Sequence, residues 1–144
     1  MDRNNNWDRT EKAYLAMTEG RGNQASDPQE AVEQSYRKKI YDEEFVPTVI
    51  TGKEGRAVGT VKEGDAVIFY NFRPDRARQI TKAFVLREMD KFERPKFLED
   101  IVFVCFTEYE KGLPVEIAFP AEEVKNTLGE VLAASKFRQL RIAE

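Results

Sequence analysis

Histidine is absent from this sequence, and cysteine occurs only once. Without histidine the chain lacks the commonest general base and the commonest metal ligand of proteins. A single cysteine excludes an internal disulfide, and the two shortages together exclude a His/Cys zinc site and a Ser-His or Cys-His dyad. Cys105 lies in the apolar run IVFVCF, so we expect a buried thiol. Any acid–base or metal chemistry linked to this chain is therefore expected outside it.

Long apolar runs are missing as well. No stretch approaches the ~18 apolar residues that indicate a membrane-spanning helix, and the polar start MDRNNNWDRT does not resemble a secretory signal. The net charge is −3 over 144 residues, which argues against nucleic acid or an anionic membrane as a main partner. We expect a cytoplasmic protein in which any basic site is local.

The sequence is organised around the segment 65–77, which is DAVIFYNFRPDRA. Its apolar run, residues 66–70, is rich in β-branched and aromatic residues, which is typical of a strand buried on both faces. Pro74 suits the first position of a helix, and apolar residues follow at helical spacing over 77–85. We therefore predict a central strand, a tight turn and a helix.

Arg73 and Arg76 lie at the carboxyl end of this strand and in the first turn of the predicted helix. The amino terminus of a helix carries a partial positive charge, so cations there are unfavourable unless an anion joins them. Phosphate and carboxylate bind readily at such termini, and a guanidinium can grip either group with two hydrogen bonds. One interpretation is an anion site. The other is that Asp75 pairs with these arginines and the segment is a solvated loop.

Helices and strands alternate along the rest of the chain. Further helices are predicted from Asn6, from the Asp27-Pro28 cap and over 124–132, and further strands over 45–50, 56–61, 101–106 and 115–119. Another strand is predicted to begin in the final segment 138–144, RQLRIAE. Because the two strands before Asp65 have the pattern of a hairpin, we predict an α/β fold with a mixed sheet of about five strands flanked by helices.

Several segments together resemble the cofactor-independent phosphoglycerate mutases, a metal-dependent family related to alkaline phosphatase. They are MDRNNNWDRTEKAY, DEEFVPTVI, EGDAVIFYNFRPDRARQITKAF, NTLGEVLAASKFRQLRIAE and, more loosely, IVFVCFTEY. They stand in the family's order, and the NFRPDR motif behind GDAVIF is highly specific. The resemblance implies that residues 1–144 are part of the inserted substrate-binding domain of a larger two-domain, alkaline-phosphatase-like enzyme. The last residues would begin the return to its metal-binding catalytic domain.

The resemblance also implies a function. It is a glycolytic isomerisation of 3-phosphoglycerate and 2-phosphoglycerate, through a phosphoserine intermediate on a catalytic domain that holds two manganese ions. Arg73 and Arg76 match a pair of arginines that holds the substrate in the family. Arg3 and Arg9, in MDRNNNWDR, match two further substrate-binding arginines, although an exposed terminus rich in Asn and Arg is by itself more typical of a solvated segment.

The catalytic parts of the family pattern fall on segments that this sequence does not contain. They include the serine nucleophile, the aspartate and histidine metal ligands and the acid–base aspartate. We therefore expect the chain to be a fragment that carries no catalytic residue and binds no metal, and that has no mutase activity alone. Its expected partners are the phosphoglycerates and the catalytic domain, in a monomeric parent enzyme.

Two other functions stay open. The chain is alternatively a stand-alone phosphate- or carboxylate-binding module without catalysis. A third interpretation is a structural α/β domain whose arginines form internal salt bridges, each worth about 0–1 kcal/mol when exposed. Anion binding would distinguish the structural domain from the mutase fragment and the stand-alone module. A longer gene with histidine-rich metal motifs on both sides would distinguish the mutase fragment from the stand-alone module.

Overall fold

The computed structural model describes residues 2–142 and has the α/β architecture that the sequence predicts. The helices are α1 (Trp7–Glu19), α2 (Pro28–Arg37), α3 (Arg78–Val85) and α4 (Leu128–Ala134), with a short 3-10 helix at Asp42–Glu44. The strands are β1 (Asn23–Ala25), β2 (Thr48–Ile50), β3 (Ala66–Phe69), β4 (Val102–Cys105) and β5 (Glu116–Ile117). No helix in this part of the chain is long and apolar enough to cross a membrane.

The strands form two parallel sheets, in place of the single mixed sheet that we expected. One sheet pairs β1 with β2, and the other has the order β3-β4-β5. Within residues 2–142, the expected hairpin is reduced to one antiparallel bridge, between Thr51 and Ala57. Beyond this bridge the backbone turns toward α1, where the N–H of Val61 donates to the carbonyl of Met17 at 2.8 Å. The second arm of the hairpin therefore binds the end of a helix and does not extend a sheet.

β1 is a strand that the sequence does not indicate. Its residues, NQA, are polar or small and follow two glycines, a pattern typical of a loop. They form a strand because β2 lies alongside, with Asn23 opposite Thr48 and Ala25 opposite Ile50. Pairing between distant segments thus determines this element.

β3 lies at the edge of its sheet, although the sequence predicts that it is the central strand. β4 occupies the centre, with Ala66 opposite Val102. Val67 and Phe69 pack against the core, whereas Ile68 on the other face of β3 is 64% exposed. The expectation of a strand buried on both faces is therefore wrong for the part of the chain described, because helices cover only one face of this sheet.

The core lies between the three-stranded sheet and helices α1 and α3. The rings of Tyr14 in α1 and Phe84 in α3 are buried with centroids 5.0 Å apart, and Phe84 lies 5.7 Å from Phe103 of β4. Such tilted pairs add about 0.5–1.5 kcal/mol to the burial of apolar area. Cys105 is buried as predicted, and its burial raises the pKa of the thiol to about 11. This cluster holds α1 and α3 side by side and so positions the turn after β3.

Two helices begin at the caps that their sequences encode. Asp27 accepts a hydrogen bond from the N–H of Glu30 at 2.9 Å, and Pro28 is the first residue of α2, as predicted. α4 begins with a capping box, in which Thr127 and Glu130 satisfy each other's backbone N–H groups. These local signals need no tertiary contact to act.

The predicted strand at 138–144 is not found where the structure describes that segment. Residues 138–142 are exposed and irregular, while Ala143 and Glu144 lie outside the described residues. Instead, the guanidinium of Arg141 lies against Gly129 of α4, in the space that a Cβ atom would occupy. The segment therefore folds back on the helix that precedes it.

Candidate anion-binding site

The turn that follows β3 carries Arg73 and Arg76. The carbonyl of Pro74 accepts hydrogen bonds from the N–H groups of Ala77 and Arg78, both at 3.1 Å, so the turn runs directly into α3. α3 begins at Arg78 and not at Pro74 as the sequence predicts. Arg76 therefore lies in the turn before the helix, and not in the first turn of the helix.

Asp75 joins two of the predicted arginines. Its Oδ2 accepts hydrogen bonds from Nη1 of Arg3 at 2.9 Å and from Nη2 of Arg73 at 3.2 Å. The hydrogen bond from Arg3, assisted by the backbone N–H of Arg76 and the charge of Arg73, lowers the pKa of Asp75 against an opposing effect of burial. One carboxylate thus holds together an amino-terminal loop and a turn that are 72 residues apart.

Asp2 organises the loop that carries Arg3. Its buried carboxylate accepts hydrogen bonds from the backbone N–H groups of Asn4 at 2.8 Å and Asn6 at 2.9 Å, and from the Asn6 side chain at 2.9 Å. Burial disfavours the charged form, but these hydrogen bonds outweigh it and lower the pKa of Asp2 to about 2. Asn6 stands at the cap of α1 as predicted, although its side chain bonds to Asp2 and not to the helix.

Gln79 fastens the same loop to α3. Its buried side chain accepts a hydrogen bond from the N–H of Asn5 at 3.0 Å and donates one to Oγ1 of Thr10 at 3.0 Å. A buried amide left without such partners would cost about 1–3 kcal/mol, so the pairing favours one arrangement of the loop. The loop is therefore bonded twice to the turn and helix after β3, through Arg3 and through Asn5.

Tyr109 supports the turn from the side of β4. Its hydroxyl lies 2.8 Å from the carbonyl oxygen of Phe69 and 2.6 Å from that of Asn71, and its own carbonyl accepts from Nε of Arg78 at 2.7 Å. Burial and, to a lesser extent, the neighbouring Cys105 raise the pKa of Tyr109 to about 12. The hydroxyl therefore stays protonated and donates its hydrogen bond. The end of β3, from which Arg73 projects, is fixed by this side chain.

The other two predicted arginines lie apart from Asp75. Nη2 of Arg76 donates to Oε1 of Glu43, in the 3-10 helix, at 2.8 Å. Arg9 is exposed on the first turn of α1 and makes no ion pair with any residue between positions 2 and 142. The structure therefore brings Arg3 and Arg73 together and directs Arg76 to a different carboxylate.

Sequence reasoning missed Asp2, Gln79 and Tyr109. Two of them act through hydrogen bonds between distant positions. Gln79 bonds Asn5, which is 74 residues away, and Tyr109 bonds Phe69, which is 40 residues away. No local pattern encodes such contacts. One signal was available for Tyr109, since a single aromatic residue in the polar segment 107–112 is poorly suited to a solvated loop.

The chemistry that this arrangement offers is the binding of an oxyanion. Two guanidiniums share the single carboxylate of Asp75, so the group keeps a positive charge, and the Arg73 side chain is 82% exposed and accessible to a ligand. Guanidiniums stay protonated and present flat, two-pronged donors that suit phosphate or carboxylate. No group of three His, Cys, Asp or Glu within residues 2–142 could hold a metal ion. These residues therefore offer no site for the two manganese ions, which the family resemblance places on the catalytic domain.

Fold and site together define a class of protein: an α/β domain that presents arginines just beyond the carboxyl end of a parallel strand, where open α/β sheets bind their ligands. A family model described as "BPG-independent PGAM N-terminus" matches residues 1–111. The chain belongs to the 2,3-bisphosphoglycerate-independent phosphoglycerate mutase family.

Individual relatives agree with this assignment. The chain is 53% identical over 144 residues to the 2,3-bisphosphoglycerate-independent phosphoglycerate mutase of Moorella thermoacetica, and 55% identical over 145 residues to that of Methanococcoides burtonii. Each match covers 100% of this chain and 28% of the relative. A crystal structure of Leishmania mexicana phosphoglycerate mutase at low cobalt concentration matches with a TM-score of 0.80 and 26% identity, over 94% of this chain and 26% of that one. The chain thus spans little more than a quarter of these relatives.

Proposed function

We propose that this chain holds the substrate in a 2,3-bisphosphoglycerate-independent phosphoglycerate mutase, which interconverts 3-phosphoglycerate and 2-phosphoglycerate. The observation that carries the proposal is the joint bonding of Arg3 and Arg73 to Asp75. Family membership supports the reaction, and the arginines support the role of these residues in it. On this proposal, residues 1–144 belong to the inserted substrate-binding domain, and the last residues lead back to the catalytic domain.

The ligand enters by taking the place of Asp75. A phosphate or carboxylate of phosphoglycerate carries the oxygen atoms that Arg3 and Arg73 now bond, and it can accept two hydrogen bonds from one guanidinium. Asp75 meanwhile keeps both side chains extended toward one point, which lowers the conformational entropy lost on binding. Phosphoglycerate has two anionic groups, and on the family resemblance we assign Arg76 and Arg9 to the second one.

The chemistry of phosphoryl transfer is assigned to the other domain. There, phosphate passes from the incoming phosphoglycerate to a serine and returns to the other hydroxyl of the retained glycerate. The residues of this chain bind and orient the substrate, and they neutralise its charge while it changes position. Guanidinium suits this task because it does not lose its proton at any point of the cycle.

A stand-alone anion-binding module is the second candidate. It is favoured by one observation: Arg3, Arg73 and Asp75 all lie within these 144 residues, so the pair of guanidiniums is assembled without another domain. On that view the chain binds phosphate or carboxylate groups in general, with no preference for phosphoglycerate.

An NMR titration of the chain with 3-phosphoglycerate tests the proposal. We expect saturable amide shifts at 71–78 and at Asn5, because the ligand replaces Asp75 and disturbs the loop bonded to it. The double variant Arg73→Ala, Arg76→Ala should lose these shifts. Arg56→Ala is the matched control, since Arg56 is exposed and pairs with Glu54 in the turn after β2, and it should bind as the unmodified chain does.

The outcomes separate the candidates. Equal affinity for inorganic phosphate and for 3-phosphoglycerate would favour the anion-binding module. A folded chain whose amides do not shift with either ligand would contradict a substrate site in these residues. Loss of binding in the Arg56→Ala control would indicate a general electrostatic effect in place of a defined site.

A further inference from the structure

The short 3-10 helix at Asp42–Glu44 places a carboxylate on Arg76. Nη2 of Arg76 donates to Oε1 of Glu43 at 2.8 Å, and the two residues are 33 positions apart. The Arg76 side chain is 32% exposed, whereas that of Glu43 is 78% exposed. Of the two partners, Glu43 is therefore the one that can move into solvent without opening the fold.

The 3-10 helix is held from the side of α2. The hydroxyl of Tyr36, in the last turn of α2, donates to Oδ1 of Asp42, and the rings of Tyr36 and Tyr41 lie 5.5 Å apart. None of the three residues of the 3-10 helix is buried. Between positions 2 and 142, the bond from Arg76 to Glu43 is the only hydrogen bond that joins this helix to residues 70–78. Breaking that single contact therefore releases Arg76 and leaves the anchor on α2 in place.

The two carboxylates leave the arginines in different electrostatic states. Arg3 and Arg73 share Asp75, so that group keeps a positive charge. Arg76, by contrast, has the carboxylate of Glu43 to itself. An anion that is to bind this guanidinium must therefore displace Glu43 first.

The number of anionic groups on a ligand decides the outcome of this competition. Glu43 belongs to the same chain, so it competes at a high effective concentration and disfavours the binding of a free anion to Arg76. Arg73 and Arg76 lie in one turn, so a ligand bound through its first group presents a second group there as an intramolecular competitor as well. Phosphoglycerate has such a second group, and a ligand with one anionic group does not.

We propose that Glu43 is an internal competitor of the substrate, which holds Arg76 until the second anionic group of phosphoglycerate displaces it. This inference rests on the proposed function, because it takes phosphoglycerate as the ligand of these arginines. Glu43 lowers the affinity for the substrate, since part of the binding free energy is used to break its ion pair. It also favours release, since the carboxylate returns to Arg76 as the product leaves. Glu43 thus keeps a site rich in arginine from retaining its product.

A titration of the 144-residue chain with 3-phosphoglycerate tests the proposal, in which Glu43→Gln is compared with Glu44→Gln. The chain is used so that the catalytic domain of the full-length polypeptide contributes no binding of its own. Glu43→Gln should bind 3-phosphoglycerate roughly two- to fivefold more tightly, which corresponds to the loss of one exposed ion pair.

Glu44→Gln is the matched control for the loss of a charge. Glu44 is exposed in the same 3-10 helix and forms no ion pair with any other described residue. At physiological ionic strength, where solvent screens distant exposed charges, it should change the affinity by less than about 1.5-fold. The difference between the two variants therefore measures the pairing with Arg76.

Two further measurements show whether Glu43 acts through Arg76. When Arg76→Ala is already present, Glu43→Gln should no longer change the affinity, because its partner is gone. In the unmodified chain, 3-phosphoglycerate should shift the amides of residues 42–44 together with those of 71–78. Glycerol 3-phosphate, which lacks the carboxylate, should shift residues 71–78 alone.

The outcomes separate this inference from the proposed function. Saturable binding of 3-phosphoglycerate with equal affinities for Glu43→Gln and Glu44→Gln would overturn the role of Glu43 and leave the proposed function intact. An equal gain in affinity of Glu43→Gln for 3-phosphoglycerate and glycerol 3-phosphate would overturn it too, because the gain would not depend on a second anionic group. A folded chain that binds neither ligand would contradict the proposed function, and this inference with it.

Discussion

Asp75 determines how Arg3 and Arg73 of the candidate site are arranged. Its ion pairs with Arg3 and Arg73 are partly exposed, and solvent screens such pairs so that they contribute little to folding. Its importance is therefore geometric, because it holds two long side chains at one point. The stability of the loop that carries Arg3 depends on a different carboxylate, which is buried.

That carboxylate belongs to Asp2, and Asp2→Asn should destabilise the chain in a pH-dependent way. The folded state lowers the pKa of Asp2 from 3.8 to about 2. The resulting stabilisation, about 2 kcal/mol at most, is therefore complete above pH 4 and is lost as the pH falls toward 2. Urea unfolding should show a deficit for the variant at pH 5 that shrinks at pH 3.

Glu122→Gln is the control for this experiment, because Glu122 is exposed in an irregular segment. It should change the free energy of unfolding by less than about 0.5 kcal/mol at either pH. A deficit for Asp2→Asn that stays constant between pH 5 and pH 3 would show that the Asp2 charge does not stabilise the loop.

At the scale of the elements, α1 owes its sharp end to Gly20. This residue has a φ of 61°, in the left-handed region, and the N–H groups of Gly20 and Arg21 both bond to the carbonyl of Leu15. The turn directs the chain away from α1 and toward β1. It also brings Gly20 close to Ala57, in the arm that binds the helix end.

Gly20→Ala should therefore destabilise the chain by roughly 1–3 kcal/mol. A side chain in the left-handed region costs roughly 1–2 kcal/mol, and a Cβ at Gly20 would lie 2.9 Å from the Cβ of Ala57. The midpoint of urea unfolding measures the loss.

Gly59→Ala is a matched control from the same region, because a Cβ there would meet no atom within 4 Å. It should change the stability by less than about 0.5 kcal/mol. Equal losses in the two variants would show that neither backbone strain nor the contact with Ala57 is important.

Local sequence signals predict elements well in this chain when the signal is strong. The Asp27-Pro28 cap of α2 is confirmed, and so are strands within the apolar runs that became β3 and β4. The sequence does not indicate β1, because its three polar or small residues gain order only from pairing with β2. The sequence predicts the start of α3 four residues too early, because Pro74 suits both a helix start and the turn that it forms.

At the scale of the whole molecule, the candidate site is only partly encoded in local sequence. Arg73 could be singled out from the strand and turn that carry it. The association of Arg3 with Arg73 could not, because it depends on Asp2, Gln79 and Asp75 meeting in the folded chain. All four arginines stay predictions as ligand contacts, and the titration with 3-phosphoglycerate tests their role.

The isolated chain should have no phosphoglycerate mutase activity. The described residues contain no metal-binding cluster, and the sequence has no histidine to act as a base. A coupled assay with 3-phosphoglycerate and added Mn²⁺ should therefore give the rate of the buffer alone. The full-length polypeptide in the same assay is the positive control, and turnover by the chain would contradict the division of labour proposed above.

The shared carboxylate of Asp75 also affects how ionic strength acts on the site. Dissolved ions weaken the attraction between the arginines and an incoming ligand, but they weaken the bonds of Arg3 and Arg73 to Asp75 as well. On the proposed mode of binding, the ligand displaces that internal competitor, so the two effects should partly cancel. We therefore expect physiological salt to lower the affinity of the candidate site less than it would lower the affinity of the same arginines without Asp75.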